Sequence, residues 1–129
     1  MRKNRIVSML VGFSLLLSLA GCGESQNYSL HNYTIDEGEN YWTMAYESFD
    51  GNMRRELEVT GSSEHAFTIE TVTESGVIDV EMKGIDGIRY YEGEDLGTDT
   101  ITIMTDGPGR FVFEVTAENH SGSFSIVGE

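Results

Sequence analysis

Short runs in which apolar and polar residues alternate follow one another along the chain from about residue 41 onwards. The clearest run spans residues 77–83, where Ile78, Val80 and Met82 alternate with charged residues. A period of two is typical of a β-strand with one buried face. No segment after residue 22 keeps a helical period over the length that a helix needs. The chain is therefore predicted to be built from strands.

Turn signals divide this part of the chain into about eight short strands. The strongest turn lies at residues 106–109, where glycines flank Pro108, the only proline. Further turns are predicted at residues 50–52, 61–64, 74–76, 85–87 and 119–122. The predicted strands cover residues 41–49, 53–60, 66–73, 77–83, 88–91, 100–105, 110–118 and 123–127. This pattern predicts an all-β fold, an antiparallel β-sandwich of the jelly-roll or immunoglobulin-like kind.

The same alternation predicts which side chains form the core between the two sheets. One face of each strand is apolar, and such a face is expected to point inward. The predicted inward residues are Leu57, Val59, Phe67, Ile69, Ile78, Val80, Met82, Ile101, Ile103, Phe111, Phe113, Val115, Ala117, Phe124 and Ile126.

A different pattern occupies the N-terminus, where a basic start is followed by an apolar run from residue 6 to residue 20. This is the order of a secretory signal peptide, predicted to be helical, and it is shorter than the roughly 20 residues that a spanning helix needs. The run ends in Leu19-Ala20-Gly21-Cys22, with the only cysteine of the chain. This stretch resembles the lipobox of bacterial lipoproteins. The resemblance implies cleavage before Cys22 and acylation, such as palmitate, at that residue.

The last predicted hairpin, residues 117–124, carries a second resemblance. Together with the preceding aromatic strand and glycine-ended turn, it resembles small lipoproteins of Gram-positive bacteria whose function is uncharacterised, over residues 54–127. This resemblance implies a position at the extracytoplasmic face of the cell membrane. It implies no activity.

Three parts follow from these patterns: a signal peptide at residues 1–21, a polar acidic tether at 22–40 and the sandwich domain at 41–129. The tether contains Tyr28, Leu30, Tyr33 and Ile35 among polar residues. These four leave open the alternative that part of the tether docks as an edge strand.

The net charge of the chain limits the molecules that it is expected to bind. The net formal charge is −14, and because three of the eight basic residues and none of the 22 acidic ones precede Cys22, the processed chain carries −17. Such a charge repels nucleic acid and anionic lipid, and it attracts cations and basic proteins. The expected partners are the membrane, through Cys22, and a basic protein or another cell-envelope component.

No catalytic or metal-binding motif is found in the sequence, so we do not expect an enzyme. One acidic cluster lies in a glycine-containing region, and oxygen ligands in a flexible loop suit calcium. The alternative is a solvated acidic loop, because the spacing matches no calcium motif. The candidate calcium ligands are Asp86, Glu92, Glu94, Asp95 and Asp99.

Four further residues are candidate ligand contacts: Trp42, Tyr90, Tyr91 and His120. Adjacent residues of a strand point to opposite faces, so one of the two tyrosines is expected to face outward. The alternative role for Trp42 is core packing, and for His120 it is hydrogen bonding within a turn.

The sequence thus predicts a lipid-anchored, non-catalytic binding or accessory module at the cell surface, with an unknown ligand. The alternatives are a structural envelope lipoprotein without a discrete ligand and a calcium-stabilised domain.

Overall fold

The computed structural model describes residues 27–61 and 65–129, which form seven β-strands. The strands are β1 (Tyr28–His31), β2 (Thr34–Glu37), β3 (Tyr41–Val59), β4 (His65–Gly84), β5 (Arg89–Gly93), β6 (Asp99–Thr105) and β7 (Gly109–Gly128). Within the described ranges there is no helix of the length and apolarity needed to cross a membrane. The signal peptide and Cys22 lie outside the described residues.

Three long strands of 19 or 20 residues, β3, β4 and β7, organise the fold. The strands pair antiparallel in the order β1-β3-β7-β4-β5, while β2 also pairs with β3 and β6 with β4. β7 therefore lies in the middle, between β3 and β4, along its whole length.

Each long strand changes direction near its centre, in a region that we call the bend. The pairing register shifts between Tyr46 and Gly51 in β3, and between Thr73 and Val77 in β4. Extra residues in one strand of a pair produce such shifts and increase the local twist. The bend divides the sheet into two layers.

The first layer contains β2, β6 and the halves of the long strands at residues 41–46, 65–73 and 122–128. The second layer contains β5 and the halves at residues 51–59, 77–84 and 109–117, and β1 pairs with β3 at the bend. The layers face each other: the ring of Phe67 lies 5.5 Å from that of Phe111 and 4.9 Å from that of Phe113, centroid to centroid. The fold is an antiparallel β-sandwich, as predicted.

The core between the layers contains the residues that the alternation predicts. All of the predicted inward residues are buried except Ile101, which is partly buried and packs against the core. Trp42, Met44, Tyr46, Phe49 and Met53 complete the buried apolar cluster.

The prediction of about eight short strands is wrong in one respect. Three of the predicted turns, at residues 50–52, 74–76 and 119–122, lie inside β3, β4 and β7. The positive φ angles that turn residues favour are present, at 114° for Gly51, 82° for Gly76, 45° for Asn119 and 144° for Gly122. The chain uses them to bend without reversing direction.

The segment expected to be a tether contains two edge strands. β1 pairs with residues 48–51 and β2 with residues 42–45 of β3. The alternative that part of residues 22–40 docks on the sheet is therefore confirmed for β1 and β2.

Candidate functional site

Trp42 belongs to the core and is not an exposed ligand contact. Its side chain is fully buried, and its ring lies 5.0 Å from that of Phe124 in an edge-to-face arrangement. The guanidinium carbon of Arg55 lies 5.4 Å from the centroid of the Trp42 ring, and Arg55 forms an ion pair with Glu37 of β2. These contacts link the edge strand to the second layer.

Tyr90 and Tyr91 both pack against the core, so the expectation that one of them faces outward is wrong. The pairing register of β4 with β5 shifts between Met82, which lies opposite Tyr91, and Lys83, which lies opposite Arg89. Because of this irregularity the simple alternation of faces does not hold, and Tyr90 reaches the ring of Phe111 at 5.3 Å. Both rings are partly buried, so neither is a fully exposed contact.

His120 is fully buried at the bend and is not a surface contact. The hydroxyl of Thr73 donates to the carbonyl oxygen of Leu96 at 2.9 Å, so its oxygen accepts from the Nε2–H of His120 at 2.8 Å. The Nδ1 atom of His120 is then an acceptor, and the hydroxyl of Tyr46 donates to it at 2.6 Å. Burial lowers the pKa of His120 and raises that of Tyr46. The imidazole is therefore held neutral.

The five candidate calcium ligands do not converge on one point. The Oδ1 atom of Asp86 accepts from the backbone N–H of Ile88 at 3.1 Å, and the Oδ2 atom of Asp99 accepts from that of Gly97 at 3.0 Å. Within residues 27–61 and 65–129, no three acidic, histidine or cysteine side chains form a group that could hold a metal ion. Calcium binding stays a prediction of the sequence.

A depression of about 140 Å³ on the outer surface of the second layer gathers five carboxylates. We call it the acidic depression. Its lining residues are Asp79, Val80, Glu81, Glu92, Gly93, Glu94, Glu114 and Thr116. Two of the candidate calcium ligands, Glu92 and Glu94, are among them.

Strand pairing explains why these carboxylates are close together. Glu81 of β4 lies directly opposite Glu114 of β7 on one side and Glu92 of β5 on the other. Like charges directly opposite each other destabilise a sheet. Arg89 partly offsets the repulsion, since its Nε donates to the Oε2 of Glu81 at 2.9 Å, and Asn52 donates to the Oε2 of Glu114 at 2.8 Å.

The acidic depression can attract a cationic group by two effects. Five carboxylates in one concave region raise the local concentration of cations, and a bound cation relieves the repulsion across the three strands. Asp79, Glu81 and Glu114 were not predicted as site residues. The alternation in the sequence does predict that all three side chains point outward. It does not predict which strands are neighbours in the sheet, so it could not show that these carboxylates lie close together.

A second exposed feature lies at the N-terminal edge. The side chains of Tyr28 and Tyr33 are each half exposed, at 50%. They fall in the segment expected to be a tether, and they are two of the four residues that left open its docking as an edge strand. They are the most exposed aromatic side chains of the part of the chain that the structure describes.

Comparison with known proteins gives no family. No protein-family model matches the chain, and no curated protein matches it. Among solved structures, a xylan-binding module from Roseburia intestinalis matches with a TM-score of 0.41 and 15% identity, over 80% of this chain and 85% of that one.

Two further matches are of the same class. TmCBM61, solved with β-1,4-galactotriose, has a TM-score of 0.38 and 17% identity, over 84% of this chain and 69% of that one. A family 35 carbohydrate-binding module from Clostridium thermocellum has a TM-score of 0.40 and 11% identity, over 78% of this chain and 89% of that one.

Proposed function

We propose that this protein is a non-catalytic binding module, held at the extracytoplasmic face of the membrane by a lipid on Cys22, that takes a positively charged partner at the acidic depression. The observation that carries this proposal is the gathering of five carboxylates in one depression of about 140 Å³. The partner is a basic protein or another cationic component of the cell envelope.

The charge of the processed chain supports the same partner. A formal charge of −17 follows from the sequence, and charges on the outside of a protein steer partners of opposite sign and act over about 8 Å at physiological salt. The lipid anchor would keep the module attached to the membrane, because two or more acyl chains hold a protein stably at a bilayer.

We expect a polylysine peptide to bind the processed protein, and a double variant with Glu92→Gln and Glu94→Gln to bind it about fivefold or more weakly. The loss arises because two of the carboxylates that line the depression become neutral. Fluorescence anisotropy of the labelled peptide at low and physiological salt measures the dissociation constant.

The matched control is Glu39→Gln with Glu58→Gln, which removes two exposed carboxylates that do not line the acidic depression and gives the same net charge as the first double variant. An equal loss in both double variants would mean that overall charge, and not the depression, governs binding. No binding by the unaltered protein would favour a structural envelope role without a discrete ligand.

The anchor has its own test. We expect Cys22→Ala to release the protein from the membrane or leave its signal peptide uncut, because the thiol that accepts the lipid is gone. Detergent-phase partitioning and the mass of the chain measure both effects. Unchanged partitioning of the variant into the detergent phase would contradict the lipid anchor.

A further inference from the structure

The turn between β4 and β5, residues 84–88, carries two exposed isoleucines at the end of the second layer that is remote from the bend. We call it the isoleucine turn. The side chains of Ile85 and Ile88 are exposed by 58% and 60%, the largest exposed fractions among the large apolar side chains that the structure describes. Turn positions favour glycine, proline and short polar residues, so turn formation does not explain the two isoleucines.

Hydrogen bonds give the isoleucine turn a defined shape. The N–H of Gly87 donates to the carbonyl oxygen of Gly84 at 2.9 Å, and the N–H of Gly84 donates to that of Ile88 at 2.8 Å. The carboxylate of Asp86 folds back: its Oδ1 accepts from the N–H of Ile88 at 3.1 Å and lies 2.7 Å from where a Cβ atom on Gly84 would stand. A turn that is already ordered loses little entropy in a contact.

Basic side chains stand on either side of the turn. Lys83 comes directly before it and Arg89 directly after it, and both form ion pairs with Glu81 of β4. Long basic side chains next to an apolar tip are typical of segments that lie in the interface of a lipid bilayer, because their charged ends stay at the level of the head groups.

The direction of β1 relates the isoleucine turn to Cys22. β1 is antiparallel to β3, with Tyr28 opposite Gly51, and the carbonyl oxygen of Asn27 accepts from the N–H of Asn52 at 2.8 Å. From Tyr28 to Asn27, which is the direction of Cys22, the chain therefore points along β3 towards its C-terminal end. That is the end of the second layer at which the isoleucine turn lies.

The distances along the strands agree with this direction. Through their common partner in β7, Asn52 is level with Asp79 of β4. Gly84 lies five positions further along β4, which is about 17 Å. Cys22 precedes Asn27 by five residues, and five residues span at most about 17 Å. A lipid on Cys22 can therefore reach the level of the isoleucine turn.

We propose that the isoleucine turn inserts into the interfacial region of the bilayer that holds the lipid of Cys22. This inference rests on the lipid anchor of the proposed function. The two isoleucines lose water on insertion, which is favourable, and the anchor keeps them close to the bilayer. Because the turn lies at the end of the second layer, the acidic depression on the outer surface of that layer stays open to a partner.

Charges elsewhere restrict the contact to this turn. The bend, at the opposite end of the sandwich, carries the exposed carboxylates of Glu47, Glu74 and Glu118, which resist entry into a bilayer. Asp106 and Glu129 belong to the first layer at the same end as the isoleucine turn, so that layer stays in water. The contact is therefore apolar and local, and it does not depend on anionic lipid.

Quenching by a spin-labelled lipid tests the insertion. The chain is expressed in full, purified from membranes and reconstituted into phosphatidylcholine vesicles that contain the spin-labelled lipid. A nitrobenzoxadiazole dye is attached to Ile88→Cys and, as the control, to Val72→Cys, at an apolar residue of the first layer beside the bend that is exposed by 41%. We expect about threefold or more stronger quenching, and emission at shorter wavelength, for the dye at residue 88. Ile85→Cys is a second reporter in case Ile88→Cys disturbs folding.

Several outcomes would overturn the inference. Equal quenching at residues 72 and 88 would show that the domain has no preferred orientation on the bilayer, and a wavelength shift at residue 88 without quenching would place the turn against protein. The unaltered chain tests the anchor separately. An acylated Cys22 takes up no dye, so labelling of the unaltered chain would show that the anchor is absent, and the inference would fall with it. Variants that stay on the vesicles without quenching at residue 88 contradict the insertion alone.

A disrupting substitution gives the second measurement. In the dye-labelled Ile88→Cys background, Ile85→Asp is expected to lower the quenching about threefold or more, because its carboxylate resists leaving water. Ile35→Asp makes the same change at an exposed isoleucine of β2, and it should leave the quenching unchanged. Equal losses in the two variants would contradict insertion of the isoleucine turn.

Discussion

Gly122→Ala is expected to lower the free energy of unfolding by about 2–6 kcal/mol. Gly122 lies where β7 leaves the bend, with φ at 144°, a conformation that residues with a side chain rarely adopt. A Cβ atom there would also meet the backbone oxygen of Val72 in β4. Both strands would have to move apart, so the loss is a large part of the 5–15 kcal/mol by which typical domains are stable. Urea denaturation followed by tryptophan fluorescence measures it.

Gly107→Ala is the matched control for this prediction. Gly107 has the same φ of 144°, but a Cβ atom added there would have no neighbour within 4 Å. The substitution should therefore cost only the backbone strain, about 1–3 kcal/mol. Equal losses in the two variants would contradict the importance of the close approach between β7 and β4.

The glycines of the bend show how far the sequence predicts the fold. Alternation gives the buried face of each strand correctly, since burial of Phe111, Phe113 and Val115 depends only on the local period of two. Turn residues give the positions of positive φ correctly, as at Gly51 and Gly76. A residue with positive φ can lie in a turn that reverses the chain or in a bend within one strand. It lies in a bend when the segments before and after it pair with the same neighbouring strand. That pairing is not local, so three bends were predicted as hairpins.

The candidate site was predicted less well, for the same physical reason. The acidic depression is formed by residues from β4, β5 and β7 that are distant in sequence. Only Glu92 and Glu94 among them belong to the acidic cluster of candidate calcium ligands. Polarity also misled the prediction for His120. A polar residue near glycine is typical of a turn, whereas here Tyr46 and Thr73 satisfy both nitrogens of the imidazole and allow it to be buried.

His120→Gln is expected to destabilise the protein by about 1–3 kcal/mol, because no single orientation of the amide reproduces both hydrogen bonds and the buried hydroxyl of Tyr46 loses its acceptor. The side chain of His120 is fully buried between β3 and β4. His31→Gln makes the same change at an exposed position and should alter stability little. Comparable losses in the two variants would contradict a structural role for the buried network.

The stability of the unaltered protein is expected to fall at acidic pH because of the same buried histidine. Burial lowers the pKa of His120 in the folded state below its ordinary value of 6.5, so as the pH falls past about 6.5 the unfolded chain binds a proton that the folded chain does not. The free energy of unfolding therefore falls as the pH drops below about 6.5, and it stops falling once the pH is below the pKa of His120 in the folded state. The total loss is about 1.4 kcal/mol for each unit by which the folded pKa lies below the unfolded pKa. Protonation would put an N–H at Nδ1 opposite the hydroxyl of Tyr46, which donates there in the neutral state. Urea midpoints measured between about pH 7.5 and 5.5 should fall less in His120→Gln than in the unaltered protein, and parallel curves would show that His120 does not titrate in this way.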